Sequence, residues 1–146
     1  MDAGRAEGWF DLADHVVVEA DGARQRPFKA PAEHEPVVPQ RSTFVLAIMG
    51  ADALGRVIWD QCHRPMRVAA VAGCEPFERL TPERAAKVLA HPDGGRKSVP
   101  ADARFAVVVN RVDADNAYVA GALHELAEHL ARDAIPVVAV RARIRW

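Results

Sequence analysis

Residues 105–113 read Phe105-Ala106-Val107-Val108-Val109-Asn110-Arg111-Val112-Asp113. An apolar run without alternation, rich in valine and ending in a polar turn, suits a strand covered on both faces, as in a parallel sheet. Three other stretches share the pattern: residues 15–19 (HVVVE), 44–49 (FVLAIM) and 135–140 (IPVVAV). Pro136 belongs at the start of the last of these, where its missing N–H is tolerated. Helical stretches lie between the runs. Residues 64–72 form a short one that ends at Gly73. Residues 82–90 have Thr81 as N-cap, Pro82 in the first helical position and Glu83 in the positive first turn. Residues 116–132 follow Asp115, read as their cap. Their apolar positions Val119, Ala122, Leu123, Leu126, Ala127 and Leu130 recur at helical spacing. Strand–helix alternation of this kind predicts an α/β fold with a mainly parallel sheet and flanking helices.

At 146 residues a single domain is the expectation. The chain has 20 acidic and 19 basic residues and a net charge of −1, which argues against a nucleic-acid binder. No apolar run approaches the roughly 20 residues that span a membrane. The first residues, Met1-Asp2-Ala3-Gly4-Arg5, carry no apolar signal-peptide core, so a cytoplasmic protein is expected. Cys62 and Cys74 are too few for a disulfide framework. Across a mostly helical segment they stand about 18 Å apart. Both are expected to be reduced. Two proline- and glycine-rich segments, residues 21–41 and 92–100, read as loops; loops of about twenty residues are usually functional or mobile.

Three motifs bear on chemistry. Residues 15–19 deliver Glu19, and then Asp21, at the end of an apolar strand. That is the Walker B arrangement, in which a carboxylate helps to hold magnesium at the carboxyl edge of a sheet. The alternative is an acid that caps a turn. Asn110-Arg111-Val112-Asp113 follows a strand as the base-reading loop of guanine-nucleotide proteins does: the aspartate accepts from the base edge, the asparagine steadies the loop, and Arg111 can stack on the ring. The alternative is a strand-to-helix turn in which Asp113 or Asp115 caps the helix. His124-Glu125-Leu126-Ala127-Glu128-His129 looks like a zinc-protease helix but fails on spacing, because its histidines are five apart rather than four. Cys62, His63, Cys74 and His91 form no recognised zinc spacing. A metal site built from His34, His63 and His91 with the cysteines is a minor third reading.

Several pieces occur together in one family. Residues 16–24 and the block Pro27-Phe28-Lys29-Ala30-Pro31-Ala32-Glu33-His34-Glu35-Pro36-Val37-Val38-Pro39 resemble the central block of the YqeC-type proteins, accessory proteins of selenium-dependent molybdenum hydroxylases. So do Gly50-Ala51-Asp52-Ala53-Leu54-Gly55, His63-Arg64-Pro65, His91-Pro92-Asp93-Gly94-Gly95-Arg96-Lys97-Ser98-Val99-Pro100, and Asn110 to Asp113. The resemblance covers about residues 14–113, with a C-terminal helix and strand in 115–146. It implies a P-loop NTPase-like fold that uses ATP or GTP with magnesium. Glu19 and Asp21 would be the catalytic and magnesium-facing residues. Asn110, Arg111 and Asp113 would bind the base. Lys29, Glu33, His34, His63, Arg64 and Lys97 would act from loops that cover the site or contact a client. The bland alternative packs the proline-rich loop on the sheet edge with its charges solvated.

The sequence departs from the family at one point. No Gly-x-x-x-x-Gly-Lys-Ser/Thr occurs in it, and about fourteen residues precede the first strand. The expectation is therefore a single partial domain over residues 1–146 without the first strand–phosphate loop–helix unit. It would be a fragment, half of a split protein or a degenerate member. Without the phosphate cradle, hydrolysis by this chain alone is not expected, and it would use no cofactor of its own. Residues 16–19 would be left with an unpaired edge that invites another chain, the missing half or a second copy, and the client partner implied by the resemblance is a molybdenum hydroxylase or its maturation factors. The competing class is a non-catalytic interaction module or a truncated remnant of the same fold.

Overall fold

A computed structural model of the chain describes residues 8–113 and 115–141. Its elements are β1 (Phe28–Lys29), β2 (Phe44–Gly50), α1 (Ile58–Gln61), β3 (Cys62–His63), α2 (Pro65–Ala72), α3 (Pro82–Ala90), β4 (Arg104–Asn110), α4 (Ala117–Ala131) and β5 (Val137–Ala139). Short 3-10 turns occupy Gly8–Asp11 and Ala51–Ala53. The main sheet has three parallel strands in the order β2-β4-β5, and β1 pairs with β3, also in parallel. The fold is α/β with parallel sheets and flanking helices. No helix among the described residues is long and apolar enough to cross a membrane.

Local chemistry explains the helix ends. The Thr81 hydroxyl accepts from the Arg84 N–H at 3.2 Å, and Pro82 opens α3 where no N–H is needed. Gly73 ends α2 at φ 74°, where its N–H donates to the Ala69 carbonyl at 2.8 Å. At α4 the expected cap moves by one residue. Asn116, not Asp115, precedes the helix, and its Oδ1 accepts from the Tyr118 and Val119 N–H groups at 3.1 and 3.3 Å. Asp115 is one position too early to reach those donors, and its carboxylate pairs with Arg141 at 3.2 Å.

Alternation along the strands divides the sheet into two unlike faces. Inward, Met49, Phe105, Val107 and Val109 are buried with Leu126 and Leu130 of α4 and with Val88 and Leu89 of α3. Outward, Phe44, Leu46, Ile48 and Val138 are 46%, 46%, 62% and 52% exposed. Arg104 lies over the Phe44 ring at 5.2 Å. Parallel sheets ordinarily carry helices on both faces; among the described residues this one carries them on one.

The strand expected at residues 15–19 does not form. No ladder includes these residues, and Val17 is 97% exposed. A β-branched run becomes a strand only by pairing, and β2 has no neighbour on its outer side among the described residues. The segment is tied instead to the proline-rich loop, through Val37 N–H to the Ala20 carbonyl at 3.2 Å and Arg41 to Asp11 at 3.0 Å. That loop is anchored in turn. It contains β1, and Phe28, Ala30, Pro31, Val38 and Pro39 are buried.

The two faces should respond differently to truncation. Leu126→Ala should lower the free energy of unfolding by about 2–5 kcal/mol, the range for a fully buried leucine. Ile48→Ala should change it by no more than about 0.5 kcal/mol, as at a surface position. Urea unfolding followed by circular dichroism measures both; equal losses would show that the outer face is packed as closely as the inner one.

Candidate functional site

The carboxyl edge of the main sheet is where α/β proteins gather ligand-binding loops. Gly50 and Asn110 end β2 and β4 as register partners there. The Gly50 N–H donates to the Pro27 carbonyl at 2.7 Å, which brings the loop before β1 against the strand end. A Cβ at Gly50 would collide with the Asp52 side chain, lie 2.8 Å from Pro27 Cβ and 3.4 Å from Arg111 Cδ. The proline-rich loop and the Asn110–Asp113 loop therefore meet across a position that tolerates no side chain.

On the proline-rich side the loop is closed by ion pairs. Lys29 contacts the Asp21 carboxylate, donates to the Gly22 carbonyl at 2.8 Å and reaches Glu35 Oε2 at 3.2 Å. Arg64 grips Glu35 with both terminal nitrogens, at 2.6 and 2.8 Å. Arg64 takes a left-handed conformation, φ 57°, just ahead of α2, and the paired contact is the strong geometry for an arginine on a carboxylate. The Arg64 guanidinium, helped by Lys29 and the Ala32 N–H, holds the Glu35 carboxyl down at about 2 against the opposing effect of burial. His63 is the register partner of Lys29, and burial together with Arg64, Lys29 and Arg24 lowers its pKa. Lys97 donates to the Ala32 and Glu33 carbonyls, and Arg67 Nε donates to Pro31 O at 2.8 Å.

The structure thus gathers Asp21, Lys29, His63 and Arg64 from the sequence-based set. It places His34 at the rim, with Nε2 3.6 Å from Glu35 Oε1. Glu33 contributes its backbone carbonyl to Lys97. Glu19 is exposed, and no described residue reaches it with a hydrogen bond or ion pair. Asp21, Lys29 and Glu35 of the loop are paired, while Arg24, Glu33 and His34 are exposed. Glu35, the hub of the cluster, was not singled out from the sequence. It sits inside the Lys29 to Pro39 block, but its main partner is 29 positions away, so no local spacing marks it.

On the other side, Asn110 Oδ1 is buried without a hydrogen-bond partner among the described residues. Such orphaned acceptors are uncommon and costly, and call for a role. Arg111 has φ 55° and pairs with Asp52 at 3.0 Å. Asp113 Oδ1 accepts from the Asp115 N–H at 3.2 Å, which steadies the turn into α4. Asp52, Arg56, Arg79, Arg111, Asp113 and Tyr118 line an open groove of about 720 Å³ beside this loop.

Magnesium does not fit the carboxylates as they stand. Lys29 neutralises Asp21, Glu19 is not drawn to it, and no group of three His, Cys, Asp or Glu among the described residues could hold a metal ion. Cys62 is buried, with its thiol pushed up to about 12 by desolvation, and is free, as is Cys74. The histidines of α4 form separate i,i+4 pairs, His124 with Glu128 at 3.4 Å and His129 with Glu125 at 3.7 Å.

Comparison with known proteins finds a family model described as "YqeC protein" that matches residues 2–66. A curated relative, "Uncharacterized protein YqeC" of Escherichia coli (strain K12), is 38% identical over 99 residues, which cover 67% of this chain and 39% of the relative. The chain thus matches about two fifths of the length of that relative. No solved structure matches it.

The Glu35 network predicts an acid-sensitive contribution to stability. Its folded pKa of about 2 lies below the ordinary 4.5, so the contribution is complete above about pH 5 and is lost as pH falls from 4.5 towards 2. Glu35→Gln should cost about 1.5–3 kcal/mol at pH 7, the range for hydrogen bonds to a charged group. The difference from wild type should shrink through that acid window. Urea titrations at several pH values test this, and a difference that stays constant down to pH 2.5 would exclude it.

Proposed function

The chain belongs to the YqeC family, and from that premise we propose that it is the base-reading, client-facing part of a nucleotide-dependent accessory factor. The factor would serve the maturation of selenium-dependent molybdenum hydroxylases in the cytoplasm. The observation that carries the reading is the junction at Gly50, where the proline-rich loop and the Asn110–Asp113 loop meet at the carboxyl edge of one parallel sheet.

On this reading Asp113 accepts from the edge of the base of ATP or GTP. Arg111 stacks on its ring, and the buried Asn110 amide holds the loop in register. The polyphosphate end is served by a strand–phosphate loop–helix unit from a separate segment or a second chain. The free edge of β2 and the exposed Phe44, Leu46 and Ile48 beside it support docking of such a unit there. The Lys29 to Pro39 loop faces the client, a molybdenum hydroxylase or one of its maturation factors.

A non-catalytic interaction module is the second reading. It is favoured by the way Lys29, Arg64 and Lys97 direct their donors to Glu35 and to loop carbonyls, which clamps the loop.

Calorimetric titration with ATP and GTP separates the two. The chain alone should bind weakly, without magnesium dependence and without turnover. Mixed with a separately expressed strand–phosphate loop–helix segment of a longer YqeC protein, it should bind in the low-micromolar range with magnesium. Asp113→Ala should weaken binding about ten- to hundredfold in the mixture. Tight, magnesium-dependent binding by the chain alone would reject the separate phosphate-loop unit, and no gain in the mixture would reject the nucleotide reading in favour of the module.

A further inference from the structure

Two guanidinium groups that the base-reading loop does not use line the same groove. Arg56 and Arg79 sit on neighbouring backbone segments joined by hydrogen bonds: Gly55 N–H to Leu80 O at 2.9 Å, Leu80 N–H to Arg56 O at 2.8 Å, and an antiparallel bridge between Val57 and Arg79. This small ladder fixes where the two side chains start. Arg79 donates to the Gly55 carbonyl at 2.6 Å and meets no carboxylate. No ion pair or side-chain hydrogen bond from the described residues holds Arg56.

The acids nearby are occupied. Asp52 pairs with Arg111, Asp113 accepts from the Asp115 N–H, and Glu78 pairs with Arg84. Asp113 keeps its charge, yet Arg56, Arg79 and Arg111 outnumber Asp52 and Asp113 in the lining, so the concavity is net positive, and neither Arg56 nor Arg79 has an ion-pair partner among the described residues. Tyr118 lines it as well, 61% exposed. Its ring lies against the backbone of Gly55, whose φ of +75° and missing side chain allow the contact. At about 720 Å³ the groove is of the size that takes small molecules, roughly 300–1,000 Å³.

We propose that Arg56 and Arg79 form a phosphate subsite, and that the groove takes a nucleotide with the phosphate nearest its sugar on these two residues and its planar ring against Arg111 and Tyr118. Guanidinium groups present paired donors that match phosphate oxygens, and two of them free of carboxylate partners among the described residues attract the dianion without a glycine-rich loop. The subsite deepens the nucleotide reading and rests on it for the identity of the ring, but phosphate contact at Arg56 and Arg79 can be read separately.

The test follows amide resonances of the full chain at low salt during titration with inorganic phosphate, guanosine, GMP and AMP. Phosphate and GMP should shift Gly55, Arg56, Arg79, Leu80 and Tyr118. GMP should bind about tenfold more tightly than guanosine. Arg56→Gln, whose side chain supports nothing else in the fold, should remove most of that advantage. Arg79→Lys keeps the charge but loses the fork, and should retain part of it. Arg132→Gln, on an exposed arginine after α4, should change nothing. Equal affinity for GMP and guanosine in the wild type, or phosphate shifts spread over arginines outside the groove, would overturn the subsite. Equal affinity for GMP and AMP with the phosphate effect intact would keep the subsite and reject base reading by Asp113.

Discussion

The absence of a side chain at Gly50 is the constraint on which the site depends. Strand β2 ends where Pro27, Asp52 and Arg111 crowd the backbone, and any Cβ would push at least one of them away. With glycine there, the N–H of the strand end ties down the loop that precedes β1, and Arg111 folds across to Asp52. Two loops more than eighty positions apart in sequence then share one edge of one sheet. A methyl group at Gly50 would separate them without touching the buried core.

Glu35 plays the corresponding part within the proline-rich loop. A carboxylate held by a bidentate arginine and a lysine is a cross-link that reinforces the two-residue β1–β3 ladder. Prolines restrict the unfolded loop, and the ion pairs select one arrangement from what remains. The loop is held by electrostatic contacts as well as by the packing of Phe28, Ala30 and Val38.

Much of the architecture was legible in the sequence. The runs at 44–49 and 105–109 became β2 and β4 in parallel register, and Thr81-Pro82 marked the start of α3. The run at 15–19 misled because hydrophobic pattern encodes a preference for pairing but not the presence of a partner. Asn116 and Asp115 are both competent caps, and only the backbone bend decides between them. The Asn110 to Asp113 motif stands out in the sequence because it is contiguous, and the structure places it at the carboxyl end of β4. The Glu35–Arg64 pair does not stand out, since its members are distant and neither residue type is unusual in its context. The Arg56–Arg79 pair escaped for the same reason: it is created by a short ladder that no periodicity announces.

The outward side of the main sheet has a consequence for how the chain must be made. Phe44, Leu46 and Ile48 of β2 and Val138 of β5 leave aliphatic and aromatic hydrocarbon in contact with water, and the outer edge of β2 is open among the described residues. Surfaces of that kind adhere to whatever arrives first, including nascent chains and chaperones. The timing and amount of synthesis therefore become structural variables, because surplus polypeptide with this face uncovered would be lost to adhesion and turnover.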